Sequence, residues 1–534
     1  MLPDLRDYDQ LRRAFRWRLP ERFNIGVAAC DGWAARAPDR PAVLQAQGDG
    51  SVATLTYGEL RAASNRLANE LARRGIGAGD RVAILLPQGF AVPVAHVAAY
   101  KLGAVALPLA SLFGVDALAF RLRDAGARVL IANAAGVAKV RGLPGLECVL
   151  SIDGADGAAL DYHRALAEAS PDFAPRDTHA NDPAMMIYTS GTTGPPKGAL
   201  HAHRVLLGHL PGVQFSHGFL PQAGDRLWTP ADWAWAGGLL NVLLPGLMLG
   251  VPVLARASEK FDPEAAFELM ARHRVRNAFI PPTALRLMRA VERPRERFGI
   301  PLRTLTSAGE ALGAETLAWG AEALGMAIDE FYGQTEANYV LSSCAAIGVA
   351  RPGAIGKAVP GPEVAVIRPD GAACEPGELG EIAVRAPDPA MFLGYWNQPQ
   401  ATAEKFVGDW MATGDLGTVD GEGYVHFTGR NDDVITSSGF RIGPGEIEDC
   451  LIAHPAVAIA AAVGKPDALR TEIVKAFVVL RPGFEASDAL AAAIQQHVRT
   501  RLSAHEYPRE IAFVAELPLT TTGKVIRRLL RAEG

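Results

Sequence analysis

From residue 53 onward the chain alternates short apolar runs with amphipathic ones, and nothing else in it limits the fold so strongly. Residues 81–86 read as a buried strand, 89–102 as a helix and 104–109 as a second strand, the βαβ rhythm of a parallel sheet covered by helices. Leu60, Ala63, Leu67 and Leu71 recur at helical spacing, and Gly75 stands where a left-handed residue would stop that helix. Similar units recur at 121–132 and 261–280. Beyond about residue 350 the texture changes to glycine-punctuated strands such as 380–385, a β-rich section. A last α/β piece begins near Asp432, with helices over 445–453 and 487–502 and strands over 457–463, 474–480 and 511–515. A single hydrophobic core stops growing near ~300 residues, so 534 residues imply at least two domains. The expected fold class is α/β. A large N-terminal domain of doubly wound sheets plus a β-rich subdomain spans 1–430, and a small C-terminal α/β domain spans 431–534, joined in the polar stretch 430–433.

Bulk chemistry narrows the partners. The net charge is -5 without an acidic or basic tail, which disfavours nucleic acid and anionic membrane. The five cysteines are scattered with no CxxC pair, against a disulfide framework or a zinc site and in keeping with a reducing cytoplasm. The arginine-rich amino terminus is interrupted by Asp4, Asp7 and Asp9 and leads into no apolar signal core. Residues 233–255 carry no charge and are long enough to cross a bilayer, but Gly237, Gly238, Pro245, Gly246, Gly250 and Pro252 would break a lipid-exposed helix. A buried helix followed by a short strand is expected there.

The strongest local signal is Tyr188, Thr189, Ser190, Gly191, Thr192, Thr193, Gly194, Pro195, Pro196, Lys197 and Gly198, after an apolar strand. Glycine-freed N–H groups, clustered hydroxyls and one lysine are what a polyphosphate needs. Pro196 before the lysine and Gly198 after it rule out the Walker pattern, and a solvated turn is the bland alternative. Four more stretches carry chemistry: Tyr332-Gly333-Gln334-Thr335-Glu336, Thr413-Gly414-Asp415-Leu416, Gly429-Arg430-Asn431-Asp432-Asp433 and Thr522-Gly523-Lys524.

In this order and spacing the five stretches resemble the adenylate-forming (AMP-binding) acyl-CoA synthetase and ligase family over about residues 55–528, most closely the medium-chain acyl-CoA synthetases through Ser438-Gly439-Phe440-Arg441-Ile442-Gly443-Pro444. The resemblance implies a ligase that joins a carboxylic acid to ATP as an acyl-adenylate, releases pyrophosphate and transfers the acyl group to CoA. Residues Thr189 to Lys197 would close over the phosphates, and Glu330, Phe331, Tyr332, Gly333, Gln334 and Thr335 would pack on adenine and the α-phosphate. Glu336 would hold Mg²⁺, a hard cation that prefers carboxylate oxygen. Asp415 suits a ribose diol as a two-oxygen acceptor, with Arg430 beside it. Lys524 would bridge the carboxylate and the α-phosphate where two anions meet. Glu336, Asp415, Arg430 and Lys524 could each, taken singly, be ordinary surface or turn residues.

For the second half-reaction the resemblance implies that the small C-terminal domain is mobile and turns about a hinge at Asp432. Ser438, Gly439 and Phe440 would then line the pantetheine tunnel, while Arg441, Arg470, Tyr507, Pro508 and Arg509 would meet CoA. Trp235, Gly238, Ala308, Gly309 and Gly333 are expected around the acyl group. Acetate-specific relatives carry tryptophan where this chain has Gly333, so a short-branched, medium-chain or aromatic acid is expected. The lack of a basic residue in those stretches points to a monoacid. Ala337-Asn338 replaces the Thr-Gly found in many relatives. The competing readings are an adenylating enzyme that loads a carrier protein, disfavoured because no carrier domain follows Lys524, and a nucleotide-binding paralogue without turnover. ATP and CoA are the co-substrates implied; self-association and a lysine acetyltransferase acting at Lys524 are the protein partners entertained.

Overall fold

The computed structural model describes the chain except residues 190–195, 259, 311, 432, 438–439, 468–469, 503–506, 521–523 and 533–534; the side chains of Thr436, Phe440, Arg441 and Glu446 are likewise outside it. It is mixed α/β, with two large sheets and a separate small C-terminal domain. One large sheet has nine strands in the order Lys357–Ala358, Ala337–Ser342, Ile328–Gln334, Thr304–Ser307, Asn277–Phe279, Leu227–Trp228, Val253–Ala255, Pro41–Ala46 and Val52–Thr56. The other has eight, with Lys197–Ala202, Pro183–Thr189, Val105–Pro108 and Arg81–Leu85 at its centre. Both are parallel in the middle and antiparallel where they approach the functional residues, at Pro183–Thr189 against Lys197–Ala202 and at Ile328–Gln334 against Ala337–Ser342.

The helices between them follow from sequence. Tyr57–Arg73 opens on a capping box: Thr56 accepts from the Glu59 amide at 3.2 Å while Glu59 accepts from the Thr56 amide at 2.8 Å. It buries Leu60, Leu67 and Leu71, and Gly75 takes φ +75° just beyond its end. Val205–Ser216 is apolar on every face and almost wholly buried, as expected of a helix enclosed by protein. Its Gly212 permits the approach of Tyr339: a Cβ there would lie 2.5 Å from the tyrosine's own Cβ. One apolar cluster draws Val43 and Val253 from the first sheet, Val82 and Ile187 from the second, and Ala95 and Leu206 from the helices between.

The uncharged stretch is three short helical pieces, Ala236–Gly238, Leu239–Leu243 and Leu244–Leu249, then the strand Val253–Ala255. Among the described residues no helix is long and apolar enough to cross a membrane. The β-rich section is a five-stranded antiparallel sheet built on Gly380–Arg385 and Trp410–Val419. The C-terminal sheet centres on the Val457–Asp467 and Thr471–Leu480 hairpin, covered by Pro444–Ile452 and Asp488–Arg501.

Candidate active site

Strand alternation divides the Ile328–Gln334 segment into two faces. On one, the Tyr332 hydroxyl donates to Asp415 Oδ2 at 2.5 Å and Gln334 Nε2 donates to the Thr413 carbonyl at 2.9 Å. On the other, Phe331 is 3% exposed and stacks on Tyr339 with centroids 3.8 Å apart. The Phe331 side chain therefore belongs to the core, and its expected place among the nucleotide-binding groups reduces to backbone. Glu330 shares the first face; burial pushes its carboxyl up to about 7, with Asp449 adding to the rise and the Leu312 amide opposing it.

Asp415 lies on Trp410–Val419 directly across from Arg430, whose guanidinium is 3.8 Å from its Oδ1. Burial pushes Asp415 up; Arg430, the Tyr332 hydroxyl, Lys524 and Lys405 pull it back. Burial and that same carboxylate hold Tyr332 well above an ordinary tyrosine, so it stays a donor. The result is a carboxylate fixed on one oxygen by a phenol and flanked on the other by a guanidinium, a geometry suited to a vicinal diol.

Lys524 reaches this cluster from the far end of the chain. Its loop closes on itself, with Lys524 N–H donating to Thr520 Oγ1 at 3.0 Å and Thr520 N–H donating to the Lys524 carbonyl at 2.7 Å. Loss of hydration pushes the ammonium below an ordinary lysine; Glu310, Asp415 and Glu336 oppose that shift and Arg430 reinforces it. The residue as a whole is solvent-exposed, but the ammonium itself is crowded by protein and charge, and that crowding governs its proton. Three residues on, Arg527 anchors the loop through Glu448 at 2.7 and 2.8 Å and Asp433 at 3.4 Å, while Arg531 holds Asp433 at 3.1 Å.

Thr189 and Lys197 face each other across the hairpin. Residues Ser190, Gly191, Thr192, Thr193, Gly194 and Pro195 between them lie outside the described residues, and Pro196 is half-buried. Tyr395 connects the hairpin to Glu336: its hydroxyl donates to Glu336 Oε1, and the Lys197 ammonium sits 5.0 Å from its ring centroid. Glu336 is 7% exposed, and among the described residues its Oε2 has no hydrogen-bond partner. That single free hard oxygen fits a divalent cation whose other ligands come from phosphates and water. Thr335 follows Gln334 at the hairpin tip.

Three charged or polar groups here escaped the sequence reading. Glu310 accepts from Arg286 at 3.0 Å and Thr283 at 3.2 Å, and directly follows the Ser307-Ala308-Gly309 stretch, which was the available signal. Tyr395 stands in a Gly-Tyr-Trp run inside the β-rich section. Lys405 donates to Gln334 Oε1 at 3.1 Å and to the Ala412 carbonyl at 3.0 Å, and nothing in the sequence around it gives it away.

The expected acyl residues divide. Trp235 packs edge-on to Phe113 at 5.6 Å, Ala308 is buried, and a Cβ on Gly309 (φ +106°) would meet nothing within 4 Å. Gly238 and Gly333 instead serve close packing. A Cβ on Gly238 would lie 2.4 Å from the Asp232 carbonyl, and one on Gly333 would lie 2.4 Å from Asn338 Oδ1 and 2.7 Å from Asn338 Cα. The expectation that Gly333 leaves free volume for a longer acid is corrected: Asn338 enters that space.

Of the expected CoA residues, Arg509 donates to the Tyr507 hydroxyl at 3.0 Å and stacks over its ring at 4.9 Å, next to a buried Pro508. Arg470 takes the Asp467 carboxylate on its backbone N–H at 2.8 Å. Among the described residues no hydrogen bond or ion pair joins Tyr507 or Arg509 to Asp415, Glu336 or Tyr332. The backbones of Phe440 and Arg441 pair with Ser437 and Thr436. Asp432, Ser438 and Gly439 lie outside the described residues, as do Thr522 and Gly523.

Residues 30–396 match the profile of the AMP-binding enzymes, and 446–524 match the AMP-binding enzyme C-terminal domain. The chain is 33% identical to rat mitochondrial acyl-coenzyme A synthetase ACSM2 over 535 residues, covering 96% of this chain and 92% of that one. Among solved structures it resembles a Brucella canis acyl-CoA synthetase (36% identity, 99% of both chains, TM-score 0.78). It also resembles the anthranilate CoA ligase AuaEII in complex with anthranoyl-AMP (29% identity, 96% of this chain and 98% of that one, TM-score 0.88).

Proposed function

Because the chain belongs to the AMP-binding enzymes and carries that family's C-terminal domain, we propose that it is an AMP-forming acid–thiol ligase whose described conformation is the one that makes the adenylate. The supporting observation is the gathering of Lys524 with Asp415, Glu310, Glu336 and Arg430. The carboxylates hold Lys524 charged beside the Asp415–Arg430 pair, where it can meet an anionic substrate.

In this reading Asp415 and Tyr332 fix the ribose, Thr189 to Lys197 hold the β- and γ-phosphates, and Lys524 draws the acid's carboxylate onto the α-phosphorus. The carboxylate oxygen bonds to that phosphorus and pyrophosphate departs with the electrons of the broken P–O bond. Interactions that strengthen as charge gathers there lower the barrier without tightening the ground state. Glu336 would hold magnesium through its unbonded oxygen, and that ion would supply neutralising charge for the leaving group. Tyr395 orients Glu336 and backs Lys197, so both counter-charges share one support.

For thioester formation the small domain, taken as 431–534, turns about Asp432 and withdraws Lys524. The CoA thiolate then attacks the acyl carbon along a path that Gly439 would keep open, and AMP leaves with the electrons of the broken acyl–oxygen bond. Phe440, Arg441, Arg470, Tyr507 and Arg509 are the groups offered to the pantetheine and phosphates. The acid is a monocarboxylic one of short-branched, medium-chain or aromatic type, favoured by the apolar walls at Trp235 and Phe113 and the open space at Gly309. Acetylating Lys524 would remove the charge and silence the first step.

The test is AMP and pyrophosphate release from the purified chain across C2 to C12, branched and aromatic acids, with and without CoA. Lys524→Ala is expected to abolish pyrophosphate exchange yet pass acyl from supplied adenylate to CoA, and Gly439→Leu to do the reverse. No AMP from any acid would overturn the assignment. Equal loss of both steps in both variants would overturn the two-conformation mechanism.

A further inference from the structure

Two asparagines meet inside the apolar wall behind Tyr332. Asn338, on the strand Ala337–Ser342 and 6% exposed, donates from Nδ2 to Asn241 Oδ1 at 2.7 Å; Asn241, on Leu239–Leu243, is 3% exposed. Their setting is otherwise hydrophobic. Leu240 and Val242 flank Asn241 and are buried, and Tyr339, next to Asn338 in the chain, is buried and stacks on Phe331. Asn241 lies on Leu239–Leu243, which directly follows the short helix Ala236–Gly238. Asn338 Oδ1 lies against Gly333, whose missing side chain gives that oxygen room.

One bond uses one N–H and one carbonyl. The pair keeps an amide NH₂ on Asn241 and a carbonyl oxygen on Asn338 with no hydrogen-bond partner among the described residues. Turning both amides together keeps one bond and the same complementary edge of one N–H donor and one carbonyl. Neither atom is among the fully buried polar atoms that lack a partner; covering them with a hydrocarbon would bury them unpaired at a cost and would not satisfy them. A hydroxyl would, because one oxygen accepts from an N–H and donates to a carbonyl.

We infer that the acid this enzyme activates carries a hydroxyl on its acyl portion, recognised jointly by Asn241 and Asn338, which makes these two residues the determinants of specificity. The inference rests on the ligase reading above and adds to it the chemical class of the acid. A site that hydrogen-bonds a substrate hydroxyl rejects the analogue lacking it far more strongly than an apolar pocket rejects a missing methylene.

Matched pairs test it on the full chain with ATP, magnesium and CoA: butyrate against 3-hydroxybutyrate, hexanoate against 6-hydroxyhexanoate, benzoate against 2- and 4-hydroxybenzoate. For the best-accepted skeleton the hydroxy acid is expected to show about 10- to 100-fold higher kcat/KM. In Asn241→Leu and in Asn338→Leu that ratio is expected to collapse to about one. AMP formed from parent acids as fast as from every hydroxylated partner overturns this inference and leaves the ligase reading standing. AMP from no acid at all overturns both. If either leucine variant fails to fold, the wild-type pairs decide alone.

Discussion

Acidification offers the sharpest physical test of the core, because the fold buries two opposing sets of titratable groups. His96, His201, His203, His209 and His217 are buried, and loss of hydration pulls them from 6.5 down to between about 3 and about 4. Among the described residues, one ring nitrogen each of His96, His203 and His209 has no hydrogen-bond partner, so a second proton there would find no acceptor. A group whose folded pKa is depressed contributes stability above its unfolded pKa and loses it as pH falls below, here below 6.5. Asp329 and Asp388 at about 6 and Glu330 at about 7 are raised by burial and act the other way, since the folded state takes up their protons before the unfolded chain does. Between about pH 7 and about pH 5.5 each histidine costs about 1.2 kcal/mol, so the five cost about 6 kcal/mol; the three carboxyls return about 3 kcal/mol. The net expected loss is about 3 kcal/mol, a sizeable share of a domain's stability. Urea unfolding followed by tryptophan fluorescence at three pH values reads this as a falling midpoint. A midpoint that holds constant or rises on acidification would refute the claim that these imidazoles are kept neutral by burial.

Two further outcomes concern the site. The alkaline limb of kcat/KM for adenylation should lie below the ordinary lysine value of 10.5, because the rate falls as pH rises through the depressed pKa of Lys524 in the free enzyme; competitive labelling of Lys524 across pH checks this, and a titration at or above 10.5 contradicts it. Tyr395→Phe keeps the ring under Lys197 but strips the donor from Glu336. We expect pyrophosphate exchange to fall about 10-fold and to recover at raised magnesium, whereas an unchanged magnesium dependence would show that Tyr395 does not orient Glu336.

The fold was largely legible because its signals are local. Strands such as Arg81–Leu85 and Gly380–Arg385 and the helix Tyr57–Arg73 announce themselves by period, cap and stop, and burial then follows from the apolar face. The uncharged stretch around residue 240 was readable for the same reason, since its glycines and prolines cut any spanning helix into the short pieces observed. What the sequence did not carry was distance across the chain. Lys405 meets Gln334 only because Phe406–Val407 pairs with Trp410–Val419, and that strand in turn sets Thr413 against the tip of another sheet. No residue near Lys405 encodes the encounter.

The same limit explains why residues consecutive in one motif end in different surroundings. A motif names consecutive residues, but a strand sends consecutive side chains to opposite faces. Tyr332 and Gln334 reach the Asp415 and Thr413 side, while Phe331 goes to the core and Gly333 meets Asn338. Reading Gly333 as an empty volume treated a glycine as a deletion, when its role is set by what its backbone must approach. The glycine is required because Asn338 crosses behind it, and Asn338 departs from the Thr-Gly pattern at just the place where the glycine departs from tryptophan. Asn338 arrives from the neighbouring strand and brings hydrogen-bonding capacity as well as bulk to the space beside Gly333.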